Sequence, residues 1–226
     1  MTKYIIGIID EDKADVDNII RTIMLNKPED IEEAQIQFTP FQTDILSNAF
    51  DESIQRFLSE IEEMKITGLI IDYKIMENSV CIKGTEILNR LEDVVAKFPL
   101  IILSNLPNDC YHELVDADKV YSKQLFFKIE EQYSHEKTLN IFRNMDHYLE
   151  MRSKLKLQYL QSIERMKHEG TTAQVIAAIV ETEKKLADYL PQHQTESEKM
   201  LDIADLKSAI QLLREADELL GGTSEN

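Results

Sequence analysis

Four short apolar runs, each followed by a chemically capable residue, constrain this chain more than any other feature. Tyr4–Ile9 (YIIGII) leads to Asp10 and Glu11, and Gly68–Ile71 (GLII) leads to Asp72. Leu100–Leu103 (LIIL) leads to Ser104, and Lys119–Ser122 (KVYS) leads to Lys123. Runs of this length and character read as strands of a parallel sheet, buried on both faces. In an open α/β sheet, functional groups gather at the carboxyl ends of the strands. The pattern therefore predicts three acids, one hydroxyl and one amine on a single rim.

The intervals between the runs predict helices. Lys13–Leu25 places Val16, Ile19, Ile20 and Ile23 at helical spacing, and Asn26-Lys27-Pro28 ends it. Gln35–Phe38 is a weaker second strand. Ser47–Met64 repeats Phe50, Ile54, Phe57, Leu58 and Ile61, an amphipathic helix. A loop through Tyr73–Lys83 leads to Gly84 and a helix carrying Ile87, Leu88, Leu91, Val94 and Val95, which Pro99 closes. A short helix near Asp109–Val115 precedes the last strand. The order β-α-β-α-β-α-β-α-β implies a doubly wound, five-stranded parallel sheet with helices on both faces.

From Glu136 onward the pattern is helical only. Leu139, Phe142, Met145, Leu149, Leu155, Tyr159, Ile163 and Met166 mark a long helix reaching about His168, in which Arg152 and Lys156 interrupt any strict heptad. Gly170-Thr171-Thr172 offers a C-cap and then an N-cap. Ala173–Leu190 reads as a second helix ended by Pro191, and Ser197–Leu220 as a third ended by Gly221-Gly222. The expected division is an α/β domain over residues 1–135 and an all-α extension, a helical hairpin or small bundle, over 136–226.

Charge narrows the function. The 226 residues carry a net −17, of which −13 falls in 1–134 and −4 in 135–226. Neither part has the clustered Lys and Arg of a nucleic-acid surface. Cys81 and Cys110 lack metal-type spacing, and the chain starts directly in a strand-like run, which together suit a reducing cytoplasm. No apolar stretch approaches the roughly 20 residues that span a bilayer.

Residues 1–134 and the start of the helix after them resemble the receiver domain of bacterial response regulators. The family's acidic pair after its first strand matches Asp10 and Glu11 in IIDED, and its phosphoacceptor matches Asp72 in LIIDYK. Its Ser/Thr matches Ser104 in IILSN, and its Lys matches Lys123 in VYSK. Singly, each has an ordinary explanation, such as a helix cap, a turn hydroxyl or a surface lysine. The set in order, each at a strand end, is more specific.

The chemistry of such a set follows from charge. A carboxylate attacks an anionic phosphoryl group only when charge is neutralised. Clustered carboxylates favour Mg2+, a hard cation taking oxygen ligands. Asp10, Glu11, Asp72 and the backbone carbonyl of Lys74 are the expected protein ligands. Lys123 suits a phosphoryl oxygen as a point charge, and the Ser104 hydroxyl suits another. The resemblance implies a histidine kinase or phosphotransfer protein as donor, and no enzymatic turnover of a separate substrate. Output is expected through protein contacts of the helical part, including a homodimer, or through a relay or phosphate-store role.

Departures from the family pattern frame the alternative. Glu11 stands where Asp is commoner, Val120 occupies the aromatic switch position, and Gln124 replaces a frequent Pro. Tyr121 is adjacent to Val120 and belongs on the opposite face of its strand. These features support a receiver-like scaffold that binds partners without being phosphorylated. A hydrolase forming an aspartyl-phosphate ranks last, because Lys74 stands two residues after Asp72 where that chemistry uses a second aspartate. His147 on the long helix lacks a phosphotransfer motif around it.

Overall fold

The computed structural model describes residues 3–77, 79–113, 116–169 and 173–191. The chain divides into two units, Met1–Pro191 and Gln192–Asn226. The second unit lies outside the described residues, as do the expected caps at 170–172 and the expected helix Ser197–Leu220.

The first unit is built on a five-stranded parallel sheet: β1 (Tyr4–Ile9), β2 (Ile36–Pro40), β3 (Gly68–Asp72), β6 (Leu100–Ser104) and β7 (Val120–Ser122). Their spatial order is β2-β1-β3-β6-β7 and every pairing is parallel. This is the flavodoxin-like doubly wound order, in which the chain reverses direction beside β1 and opens a crevice there. The helices are α1 (Lys13–Asn26), α2 (Asp44–Asn48), α3 (Phe50–Glu62), α4 (Gly84–Glu92), α5 (Pro107–Cys110) and α6 (Lys123–Phe126). The long α7 (Gln132–Glu169) and α8 (Ala173–Leu186) follow.

Alternation along the strands produces two cores. Ile9, Leu69, Ile71, Leu100, Ile102 and Val120 face one side, with α3 and α4. Ile6, Ile8, Ile70, Ile101, Leu103 and Tyr121 face the other, with α1 and the first part of α7. Val120 and Tyr121 therefore sit on opposite faces. Both faces of each central strand are covered, which is why these runs are continuously apolar rather than alternating.

The segment expected as a loop after Asp72 is instead an antiparallel hairpin, β4 (Lys74–Glu77) and β5 (Val80–Lys83). Ile75 pairs with Ile82 and both enter the core, whereas Met76 and Cys81 face solvent. That alternation is the signature of a half-buried strand. Ser79 takes a left-handed φ of 65° in the connection. The helix expected over Ser47–Met64 is broken at Ala49 (φ −148°, ψ 66°). The break lets Leu46 on α2 join the core that holds Ile75 and Ile82, while α3 follows its own axis along the sheet.

The extension is fastened at the amino end of the sheet. Arg152 on α7 donates from Nη1 to Ile61 O (2.9 Å) and from Nη2 to Glu62 O (2.7 Å), capping the end of α3. Its Nη1 also donates to the Tyr148 hydroxyl (2.9 Å), which donates to Tyr189 O (3.0 Å). The Phe98 ring meets Tyr148 edge-on at 5.3 Å, and Lys97 N donates to Asp188 O at 2.8 Å. The second helix stops at Leu186, short of the expected Leu190, and the turn that replaces its last residues supplies these contacts. Among the described residues no helix is long and apolar enough to cross a membrane.

Candidate functional site

Asp10 follows β1, Asp72 ends β3, Ser104 ends β6 and Lys123 opens α6 directly after β7. Parallel register brings these strand ends to one edge: Ile9 pairs with Ile71, Asp72 with Leu103 and Ser104 with Ser122. Together with Glu11 and Lys74 they line one cleft of about 220 Å³.

Lys123 is the centre of the site. Its side chain is only 5% exposed, and its ammonium lies 2.8 Å from Asp10 Oδ2 and 2.6 Å from Asp72 Oδ1. A third carboxylate, Asp15 Oδ2, stands at 2.6 Å. Asp10 and Asp72 accept its hydrogen bonds, and Asp15 is its third ion-pair partner. The other oxygens of the buried acids are also held: Asp10 Oδ1 accepts from Asp12 N (2.9 Å), and Asp72 Oδ2 accepts from Lys74 N (2.9 Å). Both aspartates are fixed by backbone on one side and by one shared cation on the other.

Three carboxylates against one ammonium leave negative charge in excess in a buried place. Burial accordingly raises the pKa of Asp10 and Asp72, and the Lys123 hydrogen bonds oppose it only in part. For Lys123 burial works against the charged form, but hydrogen bonds with Asp10, Asp15 and Asp72 outweigh it and raise its pKa.

The remaining expected residues are at the rim. Glu11 is exposed and its Oε1 accepts from Met76 N (3.1 Å), which turns it toward β4. Ser104 is buried, and its Oγ accepts from Leu106 N (3.0 Å). The Lys74 side chain reaches out over the Tyr73 ring at 5.5 Å. In donor chemistry, Asp10, Glu11 and Asp72 fit a hard cation. In arrangement, no group of three or more His, Cys, Asp or Glu side chains among the described residues is placed to hold a metal ion. The Lys123 ammonium already pairs with Asp10 and Asp72, and Glu11 is engaged with the hairpin.

Three residues outside the sequence expectation shape the site. Asp15 reads in sequence only as an acid in the first turn of a helix. Gly84 starts α4 hard against Asp72, where a Cβ would stand 2.2 Å from Asp72 O. Glu113 ties the segment after β6 to the hairpin and α4. It accepts from Lys83 Nζ (2.5 Å), Thr85 Oγ1 (2.6 Å) and the Tyr73 hydroxyl (3.3 Å).

No protein-family profile matches this chain, and no curated protein matches it in sequence. Among solved structures it is similar to the RcsB response regulator of Salmonella typhimurium, with 12% identity and a TM-score of 0.40. That alignment covers 85% of this chain and 95% of the other. The likeness is too distant to assign a role to any residue.

Proposed function

We propose that this chain is a signalling protein that accepts a phosphoryl group on Asp72 from a histidine kinase or phosphotransfer protein. The observation that carries the reading is the Lys123 ammonium bridging Asp10 and Asp72 at the floor of a strand-end cleft. In the transfer, an Asp72 carboxylate oxygen forms a new bond to phosphorus as the bond to the donor's imidazole nitrogen breaks. The electron pair of that bond stays on the imidazole. The protein's work is orientation and charge: Lys74 N and Lys123 aim the Asp72 carboxylate, and Lys123 balances charge on the transferred group. Ser104 Oγ stands beside the cleft and can donate its proton to a phosphoryl oxygen while still accepting from Leu106 N.

Asp10, Glu11 and Asp72, with the Lys74 carbonyl, would hold Mg2+, which neutralises part of the charge between acceptor and donor. Glu11 would leave Met76 N to take part.

Output in this reading runs through protein contacts of the helical part. Helix α4 touches both ends: Gly84 abuts Asp72, and the turn after α4 meets Asp188 through Lys97. A relay or phosphate-store role needs no such coupling.

The deciding experiment is intact mass after incubation with acetyl phosphate, with and without Mg2+, on wild type and Asp72→Ala. A Mg2+-dependent gain of one phosphoryl group that the variant lacks is expected. Absence of any gain, together with no binding of fluoroberyllate, would sink the reading in favour of a scaffold that is never phosphorylated. The specific support for that second reading is that three carboxylates of the chain already surround the Lys123 ammonium.

A further inference from the structure

The third partner of Lys123 differs from the other two. Asp10 and Asp72 keep 2% and 11% of their side chains exposed, and a backbone N–H fixes the second oxygen of each. Asp15 is 26% exposed, lies on the first turn of α1, and lines the cleft beside Lys123. A phosphoryl oxygen needs the Lys123 ammonium, which three carboxylates already surround. One contact must give way. Releasing Asp10 would strand a buried carboxylate, whereas Asp15, an ion-pair partner on the first turn of α1, can turn to water.

We propose that Asp15 is a positioning residue that ion-pairs with Lys123 in the empty site and gives way to the incoming phosphoryl group. The inference rests on the phosphoacceptor reading of Asp72. No proton moves in this exchange: one ammonium–carboxylate ion pair is replaced by an ammonium–phosphoryl contact, while the new O–P bond forms on Asp72. Asp15 thereby competes with the phosphoryl group for Lys123. It also adds a negative charge that an anionic donor must approach. Both effects slow transfer.

The test is the rate of phosphorylation of the full chain by acetyl phosphate with Mg2+, alongside thermal melting. Asp15→Ala should raise the rate roughly tenfold, the scale of one hydrogen bond to a charged group. Asp15→Glu, which restores the carboxylate, should return the rate toward wild type. Asp17→Asn removes the same charge from the same helix without touching Lys123, and should leave the rate unchanged. A rate for Asp15→Ala equal to or below wild type, with unchanged melting, would overturn the inference and leave the phosphoacceptor reading standing. An equal rise in Asp17→Asn would also overturn it, since general repulsion would then explain the effect. If Asp15→Ala fails to fold, Asp15→Asn keeps size and acceptor while removing the charge, and is held to the same direction. If wild type neither gains a phosphoryl group nor binds fluoroberyllate, the reading of Asp72 fails and this inference with it.

Discussion

Arg152 donates to the carbonyl of Ile61 across the junction between the long helix and the end of α3. The guanidinium is buried; it supplies a donor to Glu62 O and a second one to Ile61 O, which also accepts from Met64 N (3.2 Å). It also sits against the negative end of the α3 dipole. A residue that interrupts the apolar periodicity of α7 is thus the one that fixes α7 to the sheet layer.

Replacing Arg152 by Ala should therefore cost more than a surface arginine. It deprives Glu62 O and the Tyr148 hydroxyl of their Arg152 donor and leaves Ile61 O with Met64 N alone (3.2 Å), for a loss of about 2–4 kcal/mol. Arg152→Lys should recover only part, because an ammonium lacks the planar fork that reaches two carbonyls. Urea unfolding of the full chain measures both. Phosphorylation of Asp72 should persist in Arg152→Lys, since the junction lies at the amino end of the sheet and the cleft at the other.

Gly84 is the second position where a small change should have a large effect. A Cβ there meets Asp72 O at 2.2 Å and Ile71 Cγ2 at 2.9 Å, and the first of these is backbone. Gly84→Ala must displace either α4 or β3, at roughly 1–3 kcal/mol. We expect a lower melting temperature and slower phosphorylation together. A variant with unchanged melting and unchanged rate would show that α4 does not set the position of Asp72.

The strands and the rim were legible because a doubly covered parallel strand is continuously apolar, and the residue after it is therefore conspicuous. Asp10, Asp72, Ser104 and Lys123 all stood out for that reason, and the register brings them to one cleft. Hairpin β4–β5 was not legible. Each strand has four residues, too few for alternation to rise above a polar loop, and no glycine marks the turn where Ser79 takes positive φ. The break at Ala49 carries no cap signal, since no side chain caps α3 there. Asp15, Arg152 and Glu113 were hidden for a different reason. Their partners are distant in sequence, and pattern along the chain is blind to such pairs.

The buried acids should make stability depend on pH in an unusual direction. Asp10 and Asp72 have native pKa values raised above the ordinary 3.8, chiefly by burial. The native state then binds protons more readily than the unfolded one, so stability falls as pH rises from 3.8 through the native values, and stays lowered above them. Lys123, also raised, contributes stability below its ordinary 10.5 that is lost only in strong alkali, outside this window. Asp72→Asn should consequently be more stable than wild type at neutral pH and nearly equal to it near pH 4. Melting curves across pH 4–8 check this. A variant less stable at neutral pH would mean that the Lys123 pairing outweighs burial at Asp72.

Glu113 should behave in the opposite sense. Lys83 first, then Thr85, hold its pKa below the ordinary 4.5. A lowered acid contributes stability that is present above 4.5 and disappears as pH falls through the native value. The group is partly exposed and its partner Lys83 is half exposed, so the contribution is small, about 1 kcal/mol or less. Its effect is local. Glu113 carries the bonds that fasten the segment after Ser104 to Lys83, Thr85 and Tyr73, the residue next to Asp72. Glu113→Gln should leave global unfolding nearly unchanged while speeding amide hydrogen exchange over Asn105–Glu113. If exchange there matches wild type at pH 7, then packing of Cys110 against the core, rather than the Glu113 bonds, holds that segment in place.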